Sequence, residues 1–219
     1  YLINCYDKVI KKIEIKNFFL FICFFPQLIA GPIVNFKFMI SQFDSKIFGK
    51  SNLDIFLIGI LIFLIGLIKK ILLADTLGNY VDYAYGHTSQ ITFLYAWLAS
   101  LSFTFQLYFD FSGYVDMAIG SALMLNIFLP INFNSPLSST SIIDFWRKWH
   151  ITLSNFLTNY MYSPIAKSIK NLNFFKSMII IIFVFCIAGI WHGPTWMFFL
   201  FGLSHGVALS INHLYRRVI

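Results

Sequence analysis

Charge is scarce in this sequence. Asp, Glu, Lys and Arg together supply 11% of its 219 residues, against about 25% in a typical soluble domain. So few charges cannot coat the surface of a water-soluble fold that would have to bury so much apolar side chain, which makes lipid the natural solvent for much of the chain. Cysteine is nearly absent as well. Cys5, Cys23 and Cys186 stand far apart in or near apolar runs, with neither metal-ligand spacing nor a disulfide framework, and read as small hydrophobes. There is no internal repeat, no low-complexity segment, no initiator Met and no signal peptide. The start at Tyr1 and the end a few residues beyond an apolar segment lead us to expect a piece of a longer protein.

What is abundant is apolar and aromatic: 58% hydrophobic residues, 20% aromatics and 27 Phe, a composition that suits lipid-facing and interfacial surfaces. The net charge of +7 does not gather into one patch. It lies in small groups between apolar runs: Lys11/Lys12, Lys46/Lys50, Lys69/Lys70, Arg147/Lys148, Lys167/Lys170/Lys176 and Arg216/Arg217. Such groups fit cytoplasmic loops and anionic lipid headgroups. They do not form the continuous stripe that a nucleic acid backbone requires, so no nucleic-acid partner is expected.

Residues 1–17 are polar and basic and read as a loop or the end of a preceding helix. The apolar run Phe18–Val34 is interrupted by Pro26 and Gly31-Pro32, and proline removes a backbone donor and clashes with the preceding turn; a short or re-entrant element is expected. Ile55–Ile68 is wholly apolar between Asp54 and Lys69/Lys70 and predicts a transmembrane helix whose lysine stems snorkel. Residues 75–90 read as a loop. Thr92–Phe109 reads as a second span, and Gly113–Leu129 as a weaker one after a break at Asp-Phe-Ser-Gly. Turn residues fill 130–140. Ser141 with Asp144 makes a capping pattern for a helix from 142 to about 160, in which Asp144 can reach Arg147 and Lys148. This helix mixes aromatic and charged residues, so it belongs at the interface or along a wet cavity. Phe174–Ile211 would reach roughly 57 Å as one helix, far beyond the ~30 Å hydrocarbon core. It must therefore be two segments, broken at Trp191-His192-Gly193-Pro194.

Ionisable residues within membrane segments are costly and usually functional, which singles out His192 after its long apolar run. An imidazole held neutral in such a setting can accept a proton, as a general base must. A hairpin turn at the membrane surface is the competing reading. His150 lies on the amphipathic helix beside Trp146 and Trp149 and one turn from Arg147 and Ser154. It can orient a substrate, share a proton or contact a donor's phosphates together with Arg147, or it can be a plain interfacial histidine. Asp110 and Asp116 are six residues apart and would face different sides of a regular helix unless a break at Gly113 brought them together. Too few other ligands are near for a metal site. His205 reads as a buried polar contact, His213 as a membrane-surface residue and His87 as a loop residue. Residue spacing alone supports a polytopic membrane protein with two histidines in need of explanation. The broken helices also fit a proton-coupled transporter, and a scaffold that holds an extracytoplasmic enzyme is a third reading.

The strings PQLIAGPI at 26–33, YFDFSGYVDMAIG at 108–120, NFNSPLSSTSIIDFWRKWHITLS at 132–154 and GIWHG at 189–193 together resemble the membrane-bound O-acyltransferase (MBOAT) family. The resemblance is to its bacterial branch of alginate, peptidoglycan and cellulose O-acetylation proteins, and it covers nearly the whole chain in order. It implies an all-α fold, a helical ring around a trans-bilayer tunnel, of which residues 1–219 would be the central and catalytic part of one domain. It implies a multi-pass protein of the bacterial inner membrane. The donor would be acetyl-CoA, used as a substrate with no bound cofactor or metal. The acceptor would be a polysaccharide, reached through a periplasmic esterase-like partner. The histidine of the WHG string, His192, would be the essential catalytic residue at depth in the tunnel, and that of RKWH, His150, its companion. Trp146, Arg147, Trp149, Trp191, Asp110 and Asp116 are candidate donor- or substrate-binding residues.

Overall fold

Every regular element among the described residues is helical. The computed structural model describes residues 1–6, 10, 14–28, 31–45, 50, 52–88 and 92–219; Lys11, Lys12 and Lys46 of the basic groups, and residues 89–90 of the expected loop, lie outside these. The helices are α1 (Leu2–Tyr6), α2 (Ile15–Cys23), α3 (Phe25–Leu28), α4 (Phe36–Phe43), α5 (Leu53–Ile68), α6 (Asp75–Gly86), α7 (Phe93–Met124), α8 (Ile142–Lys148), α9 (Ile151–Leu157), α10 (Ser163–Ser168), α11 (Phe174–His192) and α12 (Trp196–Val218). Three stretches are long and apolar enough to cross a membrane: Leu53–Gly86, Phe174–His192 and Trp196–Val218. The chain divides into two compact units, Tyr1–Ile131 and Asn132–Ile219.

In the first unit the expected span is present, but it does not stop at its lysines. α5 runs through a π-helical turn, Lys69–Ala74, into α6, so residues 75–86 are helix and not the loop that their polar composition suggests. The reason is a buried face: Ala74, Gly78, Val81 and Ala84 recur at helical spacing and are all buried. Outward, Leu57, Leu61, Leu64 and Ile68 are exposed, an apolar surface suited to lipid.

α7 corrects a second expectation. It is one continuous helix of 32 residues, with no break at Asp-Phe-Ser-Gly. Gly113 is not a hinge but a contact point: α7 lies antiparallel to α5 with Gly113 against Gly66 and Gly120 against Gly59. A Cβ on Gly66 would meet the Gly113 carbonyl oxygen at 2.5 Å, and one on Gly120 the Gly59 oxygen at 2.6 Å. Small residues at such spacing let two membrane helices touch backbone to backbone. Its Tyr, Gln106 and Asp residues keep α7 outside the group of spans named above, although it is long enough to cross.

The short elements follow the prolines. α2 ends at Cys23, ahead of Pro26, and α3 is a single turn, as expected for an interrupted run. Phe24, Met39, Phe43, Ala122, Ile127 and Leu129 form the buried core there. Gln42 fixes the chain after α7 through a reciprocal amide pair, accepting from the Phe128 N–H at 2.8 Å and donating to its carbonyl at 3.0 Å.

In the second unit the long apolar run is two helices, α11 and α12, separated at the Gly-Pro break as expected. They pack closely because Gly202 and Gly206 of α12 face the backbone of α11 at Phe185 and Ile182. Leu153 and Leu157 of α9 complete a core with Ile180, Val184 and Ala188 of α11.

Candidate active site

The second unit holds six of the eight candidate site residues, and its local structure starts at the loop 132–140. Ser141 caps α8 as its sequence pattern suggests, with Oγ accepting from the Asp144 N–H at 3.1 Å. The ion pair of Asp144 is with Lys148 at 2.8 Å, and this hydrogen bond is the first cause that lowers the Asp144 carboxyl below its ordinary value.

The helix expected from 142 to about 160 is not continuous. It stops at Lys148, Trp149 is extended, and His150 adopts the left-handed conformation with φ 44° before α9 begins. A continuous helix would bond the Ile151 and Thr152 N–H groups to the carbonyls of Arg147 and Lys148. Here Ile151 N–H donates to the Asn132 carbonyl at 2.9 Å, and Thr152 N–H to the Asn132 side-chain oxygen at 3.1 Å. The Lys148 carbonyl is taken by the Asn134 N–H at 2.9 Å. Residues 132–134 thus replace the helical bonds at this point, and the Asn132 side chain caps α9 at Thr152, twenty residues away. A non-glycine residue in this region costs of order 1–3 kcal/mol and persists only where its surroundings enforce it.

His150 is buried, at 7% exposure. Burial first, and then the charge of neighbouring His192, pull its imidazole from the usual 6.5 down to about 4. Its Nδ1 lies 3.1 Å from the Asn132 side-chain oxygen, which also accepts from the Thr152 hydroxyl at 2.9 Å. Asn132 itself is 1% exposed.

His192 is the last residue of α11 and is exposed within this chain. Its ring lies 5.0 Å from Trp191, 6.5 Å from Phe198 and 6.4 Å from Phe201. From Phe201 the ring contacts continue to His205 at 4.6 Å, and from His205 to Trp146 at 5.3 Å. The next residue, Gly193, has extended backbone, so it is required for space: a Cβ there would run into the Phe198 ring. Trp191 is exposed, and Trp149 packs between Phe133 and Phe145.

Trp146 and Arg147 line a cleft of about 590 Å³ with Ser154, Asn155, Thr158 and His213. The indole N–H of Trp146 is buried without a hydrogen-bond partner among the described residues. His205, expected as a buried polar contact, is half-buried and makes aromatic contacts.

Asp110 and Asp116 are not joined to each other. Asp116 pairs with Lys69 at 2.5 Å, and Asp110 with Lys70 at 2.6 Å, where Lys70 also holds Asp75 at 2.7 Å. Both carboxylates therefore tie α7 to the π-helical turn, within the first unit. The residue that sequence reasoning missed is Asn132. The one available signal was an asparagine in a turn segment whose neighbours fold inward, and it does not name a partner. No group of three or more His, Cys, Asp or Glu side chains suited to a metal ion occurs among the described residues.

The family model described as MBOAT, membrane-bound O-acyltransferase family, matches residues 2–219. The chain is 48% identical over 91% of its length to a peptidoglycan O-acetyltransferase of Helicobacter pylori, covering 37% of that protein. It is 40% identical over 93% of its length to a probable alginate O-acetylase AlgI of Azotobacter vinelandii, covering 40% of it. It is also 26% identical over 94% of its length to a teichoic acid D-alanyltransferase of Bacillus subtilis, covering 54% of that protein. The chain thus spans about two fifths of the length of the O-acetylation relatives it matches.

Proposed function

Because the chain belongs to the membrane-bound O-acyltransferase family, we propose that it is the central and catalytic part of an acetyltransferase of the bacterial inner membrane. Acetyl-CoA is the donor and a hydroxyl of an envelope polysaccharide the eventual acceptor. The names of the relatives support this class of acceptor, and the identity of 48% favours peptidoglycan over alginate. A periplasmic esterase-like partner is the route by which the acetyl group reaches the polymer.

The observation that carries the reading is that the two motif histidines lie in one compact unit, with His150 buried and held in the left-handed backbone conformation. In the reaction, a histidine nitrogen removes the proton of the attacking hydroxyl as its oxygen bonds to the thioester carbonyl carbon. The carbon–sulfur bond then breaks, and the departing thiolate takes up a proton. His192 is the base at this centre and His150 shares the proton. The cleft bearing Trp146 and Arg147 receives the donor, with the guanidinium facing its phosphates.

The test is His192→Ala in the full-length protein, with transfer of labelled acetyl from acetyl-CoA as the measurement. General-base removal costs about 100- to 10,000-fold. O-acetylation at the wild-type rate would overturn the assignment, and would return attention to a transporter or a scaffold.

A further inference from the structure

We propose that Asn132 is the positioning residue of His150, holding its imidazole in the single tautomer that carries hydrogen on Nδ1 and the lone pair on Nε2. Thr152 N–H can only donate, and it points at one atom of the Asn132 side-chain amide at 3.1 Å. That atom must be the oxygen, because turning the amide over would set an NH2 group against an N–H at the first turn of α9. The same oxygen is 3.1 Å from Nδ1 of His150. An oxygen that can only accept requires a donor opposite it, so Nδ1 bears the hydrogen. In a neutral imidazole the other nitrogen is then the base.

The geometry does more than choose a tautomer. The Asn132 carbonyl and side chain hold Ile151, Thr152 and His150 together, so the atom that caps α9 also fixes the ring of the residue that precedes it. This connects the left-handed backbone of His150 with its chemistry. A helical backbone at residue 150 would need the Ile151 and Thr152 N–H groups back in the helix and would withdraw them from Asn132. The ring, the cap and the break in the helix form one arrangement.

The consequence for catalysis rests on the acyl-transfer reading; the tautomer itself does not. Two measurements on the full-length protein separate them. The first is 15N NMR of the wild-type protein with labelled histidine, with His150 assigned by its loss in His150→Gln. A pyrrole-type signal for Nδ1 and a pyridine-type signal for Nε2 are expected near neutral pH. The opposite pattern, or an even mixture, overturns the proposal whatever the protein's activity.

The second is kinetic. Asn132→Ala removes the acceptor, and a roughly 10- to 100-fold fall in kcat with little change in KM for acetyl-CoA is expected, the usual cost of losing the group that orients a histidine. Asn132→Asp keeps the acceptor and adds a negative charge beside the ring, which favours the imidazolium. It should restore much of the activity of Asn132→Ala and move the acidic limb of the pH profile upward by about one unit or more. The charge acts on whatever ring lies beside it, so an Asn132→Asp protein with an unmoved acidic limb means that the Asn132 side chain does not face a histidine on which turnover depends, and also overturns the proposal. Should His192→Ala retain full transfer while the NMR pattern holds, the acyl-transfer reading fails and the positioning of His150 stands.

Discussion

Replacing Gly66 by Ala adds one methyl group at the place where α5 meets α7. That carbon would lie 2.5 Å from the Gly113 carbonyl oxygen and 2.8 Å from the Met117 nitrogen, both backbone atoms that cannot swing away. Relief to ordinary contact requires the helices to part by about 0.9 Å, a gap that forfeits a quarter to a half of each facing dispersion contact. Overpacking of this kind costs about 1–3 kcal/mol, partly offset by the ~1 kcal/mol that alanine gains over glycine in a helix. Gly86, at the end of α6 in the same long helix, has nothing within 4 Å of the corresponding position, so Gly86→Ala keeps the helix gain with no clash. The two substitutions, chemically identical, are therefore expected to differ in sign, Gly66→Ala lowering stability and Gly86→Ala leaving it equal or higher. Thermal unfolding of the full-length protein in detergent, followed by tryptophan fluorescence, should separate their Tm values by several degrees. Adding Gly59→Ala to Gly66→Ala should cost less than the sum of the two, since helices already forced apart have room for the second methyl. A Gly66→Ala protein that melts with or above Gly86→Ala would refute the backbone contact as the feature that joins these helices.

Three further outcomes follow from the ion pairs and from His150. Asp116→Asn takes from Lys69, three-quarters shielded, the carboxylate it pairs with, and should destabilise by roughly 1–2 kcal/mol with KM for the proposed donor, acetyl-CoA, unchanged. The double change Lys69→Met with Asp116→Leu should recover part of the loss in a double-mutant cycle; a raised KM would instead make Asp116 a substrate contact. His150→Gly and His150→Ala both remove the imidazole, but glycine accepts φ 44° without the left-handed penalty, so His150→Gly should be the more stable by about 1 kcal/mol in denaturant titrations. His150 also links stability to pH: its folded value of about 4 lies below the ordinary 6.5, so the unfolded chain binds the extra proton between them. The contribution, on the order of 3 kcal/mol, is fully present above pH 6.5 and is lost as pH falls through 4. The pH dependence of stability over that window should flatten in His150→Gln, and parallel curves for the two proteins would disprove it.

Run length and punctuation decided the membrane elements before any folding was known. Fourteen unbroken apolar residues at 55–68, and 38 that exceed a bilayer with one Gly-Pro interruption, permit few arrangements, because a backbone in lipid must bond to itself as helix. The Ser141 cap and the two histidines were legible for the same reason: each is a local departure from its surroundings. The continuation of α5 into α6, the unbroken α7 and the stop at His150 were not. Gly113 reads as a breaker until Gly66 arrives opposite it. Asp110 and Asp116 read as candidate binding residues that a break at Gly113 would have to bring together, and no sequence pattern names Lys70 and Lys69 as their partners. Residues 142–160 read as one helix until Asn132 and Asn134 claim the bonds that would have continued it. In each case local propensity favours one outcome by about 1 kcal/mol or less per residue, and a partner from a distant part of the chain contributes as much or more. The sequence alone thus determined where the chain meets lipid and which histidines needed explanation, whereas tertiary contact decided which residue bonds the His150 ring and which lysines the two aspartates pair with.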